Sequence, residues 1–152
     1  MKFTVSRPIG SFCWLIGLAV GAATLWPAVA NAQESTPVDS LALARQYTQW
    51  LYDGMADSLV AHSTEDARGQ FATVDRYTNT SRTIAERGGT EVKVLEETWK
   101  LRNGRCQYWR AATFDRIDQP LLVRWVLDPD GRIDGLGLGP LSDAPPVDAE
   151  HC

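Results

Sequence analysis

The order of local signals along the chain predicts an α+β domain, with helices first, a four-stranded antiparallel sheet second, and the helices packed on one sheet face. Apolar residues recur at helical spacing between Asp39 and Gly88. From Thr90 onward the texture changes to runs rich in Val, Thr and Trp. Compact turn signals separate those runs, as a meander requires.

The first 32 residues stand apart from this domain. Lys2 and Arg7 give a short positive region, and an uncharged apolar run extends from Phe12 to Leu25. Ala30-Asn31-Ala32 supplies the small-x-small pattern of a signal-peptidase site, with Ala28-Val29-Ala30 as a second place to cut. The apolar run is short for a bilayer core about 30 Å thick, and Pro27 closes it. Residues 1–32 are therefore expected to be a cleaved signal peptide. Export to the periplasm or beyond the cell follows, with no membrane attachment after cleavage.

Losing that leader removes two cations and no acid, which moves the formal net charge from −4 to −6. A nucleic acid or an anionic membrane needs a basic footprint, so neither is expected as a partner. About 120 residues remain, enough for one core. Of three cysteines, Cys13 falls in the leader and Cys106 and Cys152 survive it. An even pair in an exported chain is expected to bridge, the alternative being two free thiols. A Cys106–Cys152 link would pin the tail to the body, for a stabilisation on the order of 3–4 kcal/mol in the loop-entropy account.

Residues 33–38 read as a linker, 39–141 as the domain and 142–152 as an acidic, irregular tail. Asp39 or Ser40 is placed to cap a first helix, on which Ala44, Tyr47, Thr48, Leu51 and Met55 share one face. Gly54 marks a break, and a short second helix is expected through Leu59. Ser63 is placed to cap a third helix, with Glu65 and Asp66 at its positive end. Ala67, Phe71, Val74, Tyr77, Ser81 and Ile84 form its stripe, and Gly88-Gly89 ends it. Strands are expected over residues 90–101, 106–114, 121–127 and 132–138. Asn103-Gly104 is a strong hairpin signal, Gln119-Pro120 reads as a separator, and Asp128-Pro129-Asp130-Gly131 as a turn.

Certain residues carry a resemblance. They are Tyr47, Trp50, Leu51, Tyr52 and Gly54 early on, then Tyr108-Trp109-Arg110, Val123-Arg124-Trp125-Val126-Leu127 and the run from Asp128 to Pro140. Over about residues 39–140 the chain resembles the nuclear transport factor 2-like superfamily, close to bacterial exported domains related to the SnoaL-like group. The resemblance implies a curved sheet wrapping a helix into a cystatin-like cone, with a ligand site at the open end. It also implies dimerisation through the sheet, for which Leu122, Val126, Leu136 and Leu138 are candidates. The fold hosts enzymes, binding modules and domains of no known activity, so function has to come from the site.

Seven aromatic residues are candidates to line a ligand pocket: Tyr47, Trp50, Phe71, Tyr77, Trp99, Trp109 and Trp125. Aromatics also dominate ordinary cores, and core is the favoured reading. An isomerase or dehydratase would need a carboxylate base in a dry pocket facing a hydroxyl. Glu96, Glu97 and Asp115 are the available carboxylates, and Tyr47, Tyr77 and Tyr108 the hydroxyls. Arg110 and Arg124 lie on neighbouring strands, which favours a cross-strand ladder of ion pairs instead. His62 and His151 stand far apart with no close ligand partner, so no metal and no cofactor is expected. A G-x-S-x-G nucleophile turn is missing. The expected role is an exported, non-catalytic domain that binds a small apolar molecule or a protein, with the carboxylate-based enzyme as the alternative.

Overall fold

The computed structural model of the chain describes residues 39–152. The expected signal peptide and linker lie outside the described residues. Four helices come first: α1 (Ser40–Tyr52), α2 (Ala56–Ala61), α3 (Glu65–Gln70) and α4 (Val74–Thr83), the last extended by a π-helical turn over Ile84–Gly88. Four strands follow: β1 (Glu91–Arg102), β2 (Arg105–Phe114), β3 (Ile117–Leu127) and β4 (Ile133–Pro140). They pair antiparallel in chain order, so the domain is α+β with a four-stranded meander. Among the described residues no helix is long and apolar enough to cross a membrane.

Helix α1 starts where the sequence says it should. The Asp39 carboxylate accepts the Ala42 N–H at 3.1 Å, satisfying one of the donors a helix start leaves open. Ala44, Tyr47, Thr48 and Leu51 form its buried stripe. Gly54 takes φ +72°, and the Met55 N–H turns back to the Trp50 carbonyl at 2.9 Å. That reversal takes Met55 off the stripe and leaves it 43% exposed.

The third helix expected from sequence is two helices. Thr64, not Ser63, caps α3, accepting from the Ala67 N–H at 3.1 Å. Ser63 is wholly buried, donates to the Leu59 carbonyl and meets the Tyr77 hydroxyl at 3.2 Å. After Gln70 the Ala72 N–H bonds back to Ala67, and Thr73 caps a new helix by accepting from Arg76. The break resets the helical phase. Val74, on the expected stripe, is 41% exposed, while Tyr77, Ser81 and Ile84 stay buried.

In the sheet, Asn103 and Gly104 both take positive φ (53° and 69°), the conformation of a two-residue hairpin turn. The β2–β3 turn is Asp115-Arg116, earlier than the Gln119-Pro120 separator expected from sequence. Pro120 sits inside β3 without harm. It falls in the register shift between the Ala112–Leu121 and Phe114–Ile117 pairs, and β4 ends opposite Leu121. No ladder bond needs a donor there.

The main core lies between the helices and one sheet face, around Tyr47, Leu51, Leu59, Tyr77, Tyr108 and Trp125. Its polar tips are satisfied. The Tyr47 hydroxyl donates to the Gly131 carbonyl, and Trp125 Nε1 donates to Thr48 Oγ1, both at 2.9 Å. On the opposite face Trp109, Ala111 and Leu122 make a smaller cluster covered by Leu141 and Val147. The tail is tied in place. Asp148 and Ala149 bond to the backbone of Leu101, and Glu150 pairs with Lys100 at 2.8 Å. Cys152 stands at disulfide distance from Cys106, with Cα atoms 5.9 Å apart.

Candidate functional site

Strand register builds the site. Glu97 of β1 is the direct neighbour of Arg110 of β2, and Arg110 Nη1 donates to Glu97 Oε1 at 2.7 Å. Arg110 turns its other edge to Glu91, with Nε and Nη2 donating at 3.1 and 2.6 Å. Tyr108, two residues before Arg110, donates its hydroxyl to the same Glu97 oxygen. Arg45 descends from α1 and grips both Glu97 oxygens, with Nε at 3.1 and 3.0 Å. The result is a closed Glu91–Arg110–Glu97–Arg45 chain.

This chain forms one wall of a cleft of about 730 Å³. Around the rest stand Gln49 and Tyr52 of α1, Ile84 of the π turn, Gly89, and Phe114 of β2. Gly89 takes φ +81°, and a Cβ there would collide with the Asp115 carboxylate, so a glycine is required where the chain passes from helix to sheet. The Asp115 carboxylate in turn accepts the Thr90 N–H at 2.8 Å. The charges along the cleft are satisfied from within: two arginines face two glutamates, and Asp53 is held by the Gln49 amide at 2.9 and 3.0 Å. The Tyr52 hydroxyl is buried against the Glu91 carboxylate, the acceptor it is turned toward, at a poorer geometry than the other contacts of the cleft.

The electrostatics follow from these contacts. Donation by Arg45, then by Tyr108, together with the Arg110 charge, holds the Glu97 carboxyl down at about 2 against the opposing effect of burial. Burial, followed by the Glu91 charge, pushes the Tyr52 hydroxyl well above the usual phenol range. Burial and the bond to Glu97 do the same to Tyr108. Both phenols are therefore donors at neutral pH. A carboxylate as acidic as Glu97 is a weak base there, because general-base efficiency needs a pKa near the working pH.

The residues singled out by sequence are distributed as follows. Tyr47, Tyr77 and Trp125 are core, at most 1% exposed, and Trp109 belongs to the opposite sheet face. Trp50, Phe71 and Trp99 are half-buried at the core's edge. None of the seven lines the large cleft. Trp99 alone borders a smaller hollow of about 320 Å³, beside Cys106, Leu127 and Cys152. Of the carboxylates, Glu97 is at the cleft, Glu96 pairs with Lys100 at 2.9 Å, and Asp115 serves the backbone. The cross-strand pairing of Arg110 with Glu97 exists, on the helix-facing side of the sheet. Arg124 is not part of it.

Leu136 packs against the helix-side core and Leu138 faces the α4 groove, whereas Leu122 is covered by the tail and Val126 leans on Gly135. The four leucine and valine candidates for a dimer surface are thus split between two faces. His62 bonds through Nδ1 to the Ser58 carbonyl at 2.9 Å. Among the described residues no group of three or more His, Cys, Asp or Glu side chains stands at metal-ligating spacing.

Sequence reasoning did not single out Arg45 or Glu91 as site residues and used Tyr52 only for resemblance. A signal existed: Arg45, Gln49 and Tyr52 repeat at helical spacing beside the apolar stripe of α1, a polar edge facing something specific. Comparison with protein-family models, with curated proteins and with solved structures yields no match for this chain.

Proposed function

We propose that this chain is an exported, non-catalytic binding domain of the nuclear transport factor 2-like type, whose cleft takes a small, uncharged, largely apolar molecule bearing an oxygen acceptor. The observation that carries the reading is the Glu91–Arg110–Glu97–Arg45 chain, whose four charges cancel within the cleft wall, with the Tyr52 hydroxyl beside it. A charged ligand would compete with the Arg110–Glu91 and Arg110–Glu97 pairs, whose side chains are largely shielded from water, and leaving one partner of such a pair buried alone is strongly unfavourable. A neutral ligand leaves them intact. Its carbonyl or hydroxyl oxygen would accept from Tyr52 in competition with Glu91, and its apolar body would rest on Ile84 and Phe114.

The cone and the family reading are supported by the element order and by helices on one face of a single antiparallel meander. Export is supported by the Cys106–Cys152 pair, since such bonds persist in oxidising compartments. The leader pattern of residues 1–32 points the same way.

Native mass spectrometry of the full chain, purified from the envelope or medium of its own host, tests the proposal. The wild type is expected to carry a small-molecule mass that Tyr52→Phe loses. Apolar burial should survive in that variant, since phenylalanine keeps the ring that packs edge-on against Phe114. A wild type without any bound mass, or a variant that keeps it, would overturn the assignment.

A further inference from the structure

Residues 142–152 cross the outer sheet face, away from the cleft, as a strap. All of them are exposed except Pro145 and Val147, which are half-buried. Val147, with Leu141 just before the strap, packs against Trp109, Ala111 and Leu122. The strap then turns onto the free edge of β1. The Leu101 N–H donates to the Ala149 carbonyl at 3.0 Å, and the Asp148 N–H donates to the Leu101 carbonyl at 2.8 Å. The Asp148 carboxylate accepts the Gly104 N–H at 3.0 Å, and Glu150, its side chain 66% exposed, pairs with Lys100. These anchors fall between Lys100 and Gly104, and the Cys106–Cys152 bond closes the strap onto the same hairpin.

A segment with so little buried surface sits at the low-stability end of a fold, so the covalent tie carries its closure. That tie is accessible. Both cysteines are exposed, and both border the hollow of about 320 Å³ with Ser40, Trp99, Leu127 and Asp128. The hollow gives an incoming thiolate room beside the two sulfurs, and exposed disulfides are the ones that exchange readily. What lies under the strap is the reverse. Trp109 and Leu122 are each 3% exposed. Trp109 Nε1 is buried with no acceptor, so cover alone shields its N–H from water. Lys100 and Arg124 stand over its ring, 5.2 and 5.3 Å from the centre.

We propose that Cys106–Cys152 is a thiol–disulfide exchange site, whose reduction by a dithiol releases the strap and uncovers Trp109 on the outer face of the sheet. A thiolate of the dithiol attacks one sulfur and forms a mixed disulfide. The Cys106–Cys152 bond breaks, and its electron pair leaves on the other sulfur, which takes up a proton. The second thiol of the reductant, deprotonated, attacks the mixed disulfide and displaces the remaining cysteine, which is protonated in turn. Two electrons and two protons pass from the dithiol to the cysteine pair, and the reductant ends as a disulfide. The strap is then left with Val147 and its contacts at Lys100, Leu101 and Gly104, which water can replace at such exposed positions.

Dithiothreitol is the probe, added to the full chain near neutral pH without denaturant. Alkylation of Cys106 and Cys152, located by mass, follows the reduction. Indole N–H exchange is read at Trp109 and at Trp125, whose Nε1 donates to Thr48 in the core. The reduction rate is expected to rise in proportion to dithiothreitol, as direct attack on the folded chain requires. In the reduced chain the Trp109 indole N–H should exchange about ten-fold or more faster, while Trp125 keeps its protection. Cys152→Ser, with no reductant present, should reproduce the fast exchange at Trp109. A reduction rate that levels off at a ceiling set by unfolding would overturn the proposal. So would a reduced chain in which Trp125 loses protection together with Trp109, because the bond would then hold the fold and not the strap. Unchanged Trp109 exchange in either the reduced chain or Cys152→Ser would do the same.

Discussion

Replacing Glu97 by Gln tests the electrostatic account of the cleft directly, because the two side chains differ little in size and differ in charge. The carboxyl sits at about 2 in place of 4.5. At 1.36 kcal/mol per pH unit that displacement corresponds to a stabilisation on the order of 3 kcal/mol. The Arg45 side chain is 55% exposed, and water and salt screen its share. Discounting that arm leaves about 2 kcal/mol for the contacts with Arg110 and Tyr108, whose donors are less exposed. The sign follows from the direction. Glu97 is more acidic folded than unfolded, so its stabilisation is present above about 4.5 and is lost as pH falls toward 2. Urea unfolding from pH 7 to pH 2.5, with the disulfide intact, should show Glu97→Gln weaker by about 2 kcal/mol at pH 7. The gap between variant and wild type should then close below pH 4.5. A gap that stays constant with pH would refute the reasoning, since the loss would then be steric and not ionic.

Two further substitutions probe the frame around the cleft. Cys152→Ser should lower stability by on the order of 3–4 kcal/mol through the freed loop, and hydrogen exchange should speed up at Leu101 and Ala149, whose amides bond across the tail contact or flank it. Unchanged exchange there would mean that the tail is held without the bridge. Thr48→Val removes the acceptor of Trp125 Nε1 in a fully buried setting. It should destabilise by about 1–3 kcal/mol in urea, with Thr48→Ser recovering most of the loss; equal stability of Val and Thr would show that the bond contributes nothing net.

The parts of the fold legible from sequence are those specified by local chemistry. Asn103-Gly104 announces its hairpin because few other pairs accept two positive φ angles in succession. Asp39 announces α1 because its carboxylate can reach a free backbone donor three residues on. The sequence from Ser63 to Gly88 reads as one helix because Ala67, Phe71 and Tyr77 keep an apolar rhythm through the break, while the cue for the break is Thr73, a capping residue whose signal is weak when embedded in such a rhythm. Pro120 misleads for the opposite reason. Its local meaning is termination, and only the register of β3 against both neighbours shows that its missing donor is not required. The cleft was the least legible. Arg45 and Glu97 are 52 positions apart, and nothing local to either marks the other.

The two arginines of the sheet show how register, more than composition, decides what a face can do. Arg110 and Arg124 occupy adjacent strands and carry the same group. The β1–β2 register sets Glu97 opposite Arg110, and the inner wall becomes a closed, neutral network. The β2–β3 and β3–β4 registers set Trp109 and Gly137 opposite Arg124, so that its guanidinium meets a ring and a bare backbone and no acid. A slip of one residue would carry every side chain of a strand to the other face. A slip of β1 would take Glu97 out of the cleft, and a slip of β3 would bring Arg124 to the helix side. The turn at Asn103-Gly104, the bulge between Val94 and Glu96, and the Cys106–Cys152 tie beside that same hairpin all hold the register in which one arginine is neutralised and the other lies on a ring and bare backbone.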